Sequence, residues 1–277
     1  MQYVKLPCAE NVPAMGQGTW FLGDDPTTRR EEIAALQAGI ERGLSLIDTA
    51  EMYGSGRSER LVGEAIADRR DNVFLVSKVL PSNAGRKQAI AACEASLQRL
   101  GTECLDLYLL HWQGGVAFED TIAAFEQLQR DGKIRHFGIS NLDIDATRDF
   151  HATPGGAAIQ VNQLLYNLNQ RGIEWDLLPW LQGQGIATMA YSPFDHASLL
   201  SHNGLREFAA ARDMTAAQAA LAWLLGHEAV LPIPKSASAD RVIENAGALE
   251  ITLSRDDRAA LDALFAPPQG PEPLQIY

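Results

Sequence analysis

Eight short apolar runs recur along the chain, and between them lie stretches long enough for one helix each. The runs cover residues 14–20, 44–50, 73–79, 105–112, 134–141, 159–166, 186–193 and 230–236. The first is the weakest. The others are nearly continuous in apolar and β-branched residues, as expected for parallel strands buried on both faces. Helical periodicity fills the gaps. Ile33, Leu36 and Ile40 form one stripe, preceded by Thr28 and Glu31 in capping-box spacing. Arg86–Leu100 places Ile90, Cys93 and Leu97 on one face, with Gly101 as the stop. Residues 119–130 carry Ile122, Phe125 and Leu128 ahead of Gly132, and Thr215 with Gln218 caps Ala216–Leu225. Trp175 and Trp180 fall in a further helical stretch and read as packing residues.

Eight alternating units predict an α/β chain of the (β/α)8 TIM-barrel class, with residues 1–277 as one domain. The rival is a doubly wound open sheet. That fold wants GxGxxG after its first strand, a spacing that Gly16, Gly18 and Gly23 do not provide. Residues 4–6 and 11–13 read as an N-terminal β-hairpin under the barrel, and the Pro-rich residues 266–277 as a short extended C-terminal tail.

The formal charge of −12 disfavours nucleic acid and anionic membranes as partners, and it makes any local cluster of cations informative. No apolar run approaches the ~18 residues of a membrane span. The start of the chain has no basic segment followed by an apolar one, which argues against a signal peptide. Cys8, Cys93 and Cys104 are scattered, without CxxC or metal-ligand spacing, and the six histidines form no HExxH. Reduced, packed thiols in a cytoplasmic protein, with no metal, are the expectation. No long apolar seam marks an interface, so a monomer is expected.

Polar residues sit at the ends of the apolar runs. They are Asp48, Lys78, His111, Ser140 with Asn141, Gln163, Tyr191, and Lys235 with Ser236. In a barrel these strand ends converge on one mouth, where catalysis sits. Taken singly, each has an ordinary explanation: a helix cap, a core histidine, a lysine snorkelling to water. Their recurrence at the same end of successive strands is harder to dismiss. Lys78 ends an apolar wall and needs a counter-charge, which Asp48 on the neighbouring strand offers. Tyr53 lies five residues beyond Asp48. A phenol of pKa ~10 beside an ammonium is expected to fall toward neutrality and serve as a general acid. His111 is placed to hydrogen-bond the same reacting oxygen.

These residues lie in stretches that resemble the aldo-keto reductase superfamily. The stretches are Leu-Ile-Asp-Thr-Ala-Glu-Met-Tyr-Gly (46–54), Ser-Lys (77–78), Leu-Asp-Leu-Tyr-Leu-Leu-His-Trp (105–112), Gly-Lys-Ile-Arg-His-Phe-Gly-Ile-Ser-Asn (132–141), Val-Asn-Gln (161–163), Ala-Tyr-Ser-Pro (190–193) and Ile-Pro-Lys-Ser (233–236). The likeness spans essentially the whole chain, with a looser match to bacterial reductases similar to methylglyoxal reductase. It implies NADPH-dependent reduction of a small-molecule carbonyl substrate, with Asp48, Tyr53, Lys78 and His111 as catalytic tetrad and Tyr53 as proton donor. It also implies that Ser140, Asn141 and Gln163 hold a nicotinamide carboxamide while Tyr191 stacks on the ring; a buried core aromatic is the other reading of Tyr191. Gly18, Thr19 and Trp20 would border the nicotinamide ribose, and Trp20 and Trp112 would wall the substrate pocket with Tyr53 and His111. Lys235, Ser236, Ala237, Ser238, Arg241, Glu244 and Asn245 resemble a site for the adenosine 2′-phosphate and adenine, which favours NADP(H) over NAD.

The chain departs from the family after Ser192 and Pro193, where many relatives carry a glycine-containing pyrophosphate loop. Here Phe194 to Leu200 contain no glycine. Ser192, Pro193 and Phe194 are expected to contact the cofactor, with backbone contacts from Ser198 and Leu199, and Asp195 must point away from any pyrophosphate. The short tail implies an open pocket suited to small aldehydes. Two other functions stay open: a cofactor-binding regulatory subunit with little turnover, and a barrel hydrolase or isomerase acting on a phosphorylated substrate.

Overall fold

The computed structural model describes residues 2–277. The chain begins with a hairpin, β1 (Tyr3–Lys5) and β2 (Asn11–Pro13), paired antiparallel with Val4 opposite Val12. Eight parallel strands follow: β3 (Gln17–Gly18), β4 (Leu46–Asp48), β5 (Phe74–Val79), β6 (Leu105–Leu110), β7 (Ile134–Ser140), β8 (Val161–Leu165), β9 (Ala187–Tyr191) and β10 (Val230–Pro232). Each pairs with its sequence neighbours. The sheet curls until β3 meets the segment after β10. There Gly16 N–H donates to the Pro232 carbonyl, Gly18 N–H donates to the Pro234 carbonyl, and Gly18 bridges Lys235. A Cβ on Gly18 would lie 2.9 Å from the Ile233 carbonyl oxygen, and one on Gly16 would lie 2.5 Å from Leu46 Cδ2. These glycines are there for strand contact, which explains why they lack phosphate-loop spacing.

The helices are α1 (Arg29–Glu41), α2 (Arg57–Ile66), α3 (Arg86–Leu100), α4 (Phe118–Arg130), α5 (Ile144–Ala152), α6 (Leu177–Gly183), α7 (Ser198–Ser201), α8 (Asn203–Ala210), α9 (Ala216–Leu225), α10 (Ala239–Ala246) and α11 (Arg255–Leu264). Thr215 and Gln218 form the expected capping box, and Gly101 ends α3 at φ 65°. Thr28 does not cap with Glu31. Its hydroxyl instead serves the Asp25 carbonyl and the Glu32 carboxylate. Trp175 precedes α6 and is 48% exposed, so it is not the packing residue expected. Cys8 is likewise exposed, unlike the buried Cys93. Among the described residues no helix is long and apolar enough to cross a membrane.

Strand period positions the site. Leu46, Val76, Leu107, Leu109, Val161, Met189 and Ile233 fill the barrel interior, with Leu6 and Val12 of the hairpin closing its floor. Ile47, Leu75, Tyr108 and Leu110 face the helices instead. Side chains alternate faces along a strand. Two residues beyond Leu46, Val76, Leu109, Val161, Met189 and Ile233 stand Asp48, Lys78, His111, Gln163, Tyr191 and Lys235. The same parity that fills the core therefore directs six polar side chains into one mouth.

Candidate active site

Lys78 is fully buried, and its ammonium is satisfied three ways. Nζ donates to Asp48 Oδ2 at 2.7 Å, to the Thr49 carbonyl at 2.9 Å and to Tyr53 Oη at 3.1 Å. Gln163 Nε2 donates to the other oxygen of Asp48 at 2.7 Å. Tyr53 reaches this pair from a tight turn in which Gly54, Ser55 and Gly56 all adopt left-handed backbone. His111 lies edge-on to Tyr53, with ring centroids 5.9 Å apart. Behind Lys78, Ser77 donates to the wholly buried Glu59, which also holds Arg99. Glu59 lies on α2, outside every strand-end position, so the strand pattern alone does not find it.

The electrostatics differ in one respect from expectation. Burial pushes Asp48 up and Lys78 down, while their mutual attraction opposes both. The Tyr53 phenol moves well above its ordinary value, first through burial and then through the Asp48 charge. The expected fall toward neutrality does not occur. The Lys78 charge is taken up by Asp48, and the water that would solvate a phenolate is excluded. Burial and the Lys78 charge hold His111 down to about 2, so its imidazole is neutral. Its Nδ1 is buried without a partner.

On the opposite wall, Ser140 donates to the Gln163 carbonyl, Asn141 Nδ2 contacts both Ser140 Oγ and the His111 carbonyl, and Tyr191 Oη donates to Asn141 Oδ1 at 2.9 Å. Asn141 holds φ 56°, a conformation Asn tolerates better than most residues. Thr19 follows β3 at the same end of the barrel. It is fully buried; its hydroxyl donates to the Asp48 carbonyl and accepts from Ser58, and its carbonyl accepts from Ser58 Oγ and the Leu22 N–H. Trp20 lies 6.4 Å from the Tyr53 ring and Trp112 lies 4.8 Å from the His111 ring, so both border the mouth.

The loop after β9 reaches glycine-like geometry without glycine. Ser192, Asp195, His196 and Ala197 have φ of 48°, 49°, 50° and 70°. Pro193 is buried, and Phe194 packs on the core. Leu199 turns its side chain into the core, and its N–H serves the Phe194 carbonyl. Asp195 is tied down by Asn169 at 2.8 Å, Ser198 at 2.6 Å and the Tyr277 hydroxyl. Burial raises its carboxyl, but these hydrogen bonds overcome that and hold it below the usual carboxylate value. Tyr277 also packs on His196, with centroids 4.1 Å apart, and its backbone faces the Tyr191 hydroxyl. The tail therefore returns to the mouth, and the pocket is less open than its shortness implied. Neither His196 nor Tyr277 stands at a strand end, and only the fold brings them together.

Beyond β10, Lys235 and Arg241 are exposed, and among the described residues neither has a carboxylate within 4.0 Å. The Ser236 hydroxyl bonds the Ser238 backbone and shapes the loop. Ser238 precedes α10 without a side-chain cap, which leaves the first N–H groups of that helix free to meet an anion. Ala237 packs on the core, Asn245 is buried, and Glu244 lines an open groove with Leu200, Arg206 and Met214.

The model of the Aldo/keto reductase family matches residues 14–266, and the chain belongs to that family. It is 52% identical to the methylglyoxal reductase YeaE of Escherichia coli (strain K12) over 272 residues, which covers 96% of this chain and 95% of that protein. It is 34% identical to a glyoxal reductase of Bacillus subtilis (strain 168), covering 99% and 96%. Among solved structures it superposes on an aldo/keto reductase from Klebsiella pneumoniae in complex with NADP and acetate. The TM-score is 0.97 at 46% identity, with 99% of each chain covered. The fold is thus the (β/α)8 fold of an oxidoreductase family that acts on carbonyl groups.

Proposed function

We propose that this chain reduces small aldehydes and ketones with NADPH, with Tyr53 as the proton donor and residues 1–277 working as one catalytic unit. The observation that carries the reading is the buried Lys78 ammonium, shared between Asp48 and the Tyr53 hydroxyl at the barrel mouth. The residues present fit the cofactor. Two unpaired cations stand at an uncapped helix start, suited to a 2′-phosphate. The amides of Asn141 and Gln163 match the donor and acceptor pattern of a carboxamide. Bound there, NADPH would supply a hydride to the carbonyl carbon.

The protein's own part is to receive the charge that builds on the carbonyl oxygen. Tyr53 keeps its proton because burial holds its pKa high. An alkoxide is more basic still, so proton transfer to it runs downhill. Lys78, 3.1 Å away, then stabilises the phenolate left behind. His111 is neutral, and its Nδ1 has no partner. An unpaired lone pair costs less than a buried unpaired N–H, so the proton sits on Nε2, where it can donate to the substrate oxygen. Trp20, Trp112 and the Tyr277–His196 pair limit the mouth to small substrates. The E. coli relative named for methylglyoxal supports that substrate class.

The test is a panel of carbonyls, from methylglyoxal to bulky ketones, followed by nicotinamide absorbance with NADPH and NADH side by side. Higher kcat/KM for the small aldehydes with NADPH is expected. Absence of turnover across the panel despite tight NADPH binding would replace the reductase reading with a binding role.

A further inference from the structure

At the closed end of the barrel, three side chains with metal-ligating atoms converge. Cys8 lies in the turn of the N-terminal hairpin, Glu10 just before β2, and His136 on β7. All three ligand atoms lie within 4.8 Å of one another. One imidazole nitrogen, His136 Nε2, faces both partners: Glu10 Oε2 at 2.8 Å and Cys8 Sγ at 3.7 Å. The turn is also pinned from below. The Cys8 N–H donates to Gln160 Oε1 at 2.8 Å, and Leu6 N–H donates to the Glu10 carbonyl. The thiol is thus held over the barrel floor by backbone contacts that do not depend on any ligand.

We propose that Cys8, Glu10 and His136 form a binding site for one zinc-class divalent cation, separate from the mouth and independent of the carbonyl reduction. Zn–S bonds of ~2.3 Å and Zn–N bonds of ~2.0–2.1 Å at a tetrahedral angle place sulfur and nitrogen about 3.6 Å apart. The observed sulfur–nitrogen separation already matches that. The oxygen–nitrogen pair sits closer because it is a hydrogen bond. It opens by roughly half an ångström when a cation replaces the shared proton. A thiolate, an imidazole and a carboxylate form a donor set that favours Zn²⁺ over the hard, oxygen-seeking Mg²⁺ or Ca²⁺. One thiolate and one carboxylate neutralise a divalent charge, in a chain whose net charge of −12 already attracts cations. Arg135, the nearest cation in sequence, is engaged by Asp106. The fourth position of a tetrahedron faces water, because Cys8 is exposed.

His136 shares its strand face with Ser140, four residues or about 13 Å away along the strand. The two ends of β7 would thus serve two sites, a cation clip at the floor and the reaction at the mouth. The clip ties the hairpin to the barrel wall.

Cobalt titration of untagged, chelator-washed full-length protein tests the proposal. One equivalent of Co²⁺ per chain should give a thiolate-to-cobalt charge-transfer band, displaced by Zn²⁺. Cys8→Ser should abolish the band, and His136→Ala should weaken Zn²⁺ binding by about tenfold or more in competition with a chromogenic chelator. Cys104→Ser should leave both unchanged. Zn²⁺ should raise the melting temperature of the parent protein but not of Cys8→Ser, while carbonyl reduction stays the same in all variants. A charge-transfer band that survives Cys8→Ser, or none in the parent protein at millimolar Co²⁺, overturns the proposal.

Discussion

Replacing Lys78 with Met tests the central pair with a magnitude fixed by titration. The substitution keeps an unbranched apolar stem without the ammonium and leaves Asp48, itself 2% exposed, with Gln163 as its remaining side-chain partner. A buried carboxylate in that position either stays charged at a cost of ~3–5 kcal/mol or takes up a proton. Protonation sets the ceiling. Its cost grows by about 1.4 kcal/mol per pH unit above the free carboxyl value of ~3.9. The ceiling is therefore about 4 kcal/mol at pH 7 and about 1.5 kcal/mol at pH 5. The sign follows from a folded-state pKa raised above the unfolded one. Stability is fully present below the unfolded value and is lost as pH rises through the folded one. In the parent protein burial already raises Asp48 and Lys78 pulls it back, so removing Lys78 widens the loss. Urea unfolding at pH 5 and pH 7 should show a deficit for Lys78→Met that grows with pH. At pH 7 it would lower the melting temperature by up to about 7 °C for a chain of this length. Asp48→Asn combined with Lys78→Met should remove the pH dependence. Equal deficits at both pH values, or a double variant as pH-dependent as the single one, would show that the two charges are not coupled.

Tyr53→Phe should lower kcat by about 10²–10⁴-fold while leaving the NADPH dissociation constant within about twofold, read by quenching of tryptophan fluorescence. Lys235→Ala and Arg241→Ala should each weaken NADPH far more than NADH, and equal weakening of both would remove the 2′-phosphate from this loop. The His111 ring, held down to about 2, should show no protonation by ¹⁵N NMR between pH 8 and pH 4. A midpoint near 6 would mean that water reaches it.

Much of this is legible in the sequence because two periods coincide. The apolar runs mark the strands, and period two within them separates Leu46 and Asp48, on one face, from Ile47 on the other. A polar residue two places beyond a core residue is therefore aimed into the mouth by strand geometry alone. What local pattern does not carry is competition. Thr28 has capping-box spacing with Glu31, but Asp25 and Glu32 offer its hydroxyl other partners. Tyr53 has a lysine beside it, but Asp48 claims the charge and burial decides the direction. Tyr277 reaches Asp195 and His196 across more than eighty residues, beyond the range of any local rule.

The two ends of the barrel solve different problems. At the mouth, Asn141, Ser192, Asp195, His196 and Ala197 all hold left-handed backbone, at about 1–2 kcal/mol each for residues other than glycine. The cost persists because the surroundings fix the conformation. Asn167 holds the Ser192 carbonyl, and Asn169, Ser198 and Tyr277 hold Asp195. Asp195 thereby serves as the anchor of its loop, its carboxylate taken up by three side chains of the protein. At the floor, Ala9 in the hairpin turn and Ala229 before β10 hold left-handed backbone too, at φ 70° and 56°, while Leu6 and Val12 complete the apolar interior. What sets the loop after β9 apart is the density of side-chain bonds that hold its left-handed residues, with Asn167, Asn169, Ser198 and Tyr277 supplying what glycine would otherwise make unnecessary.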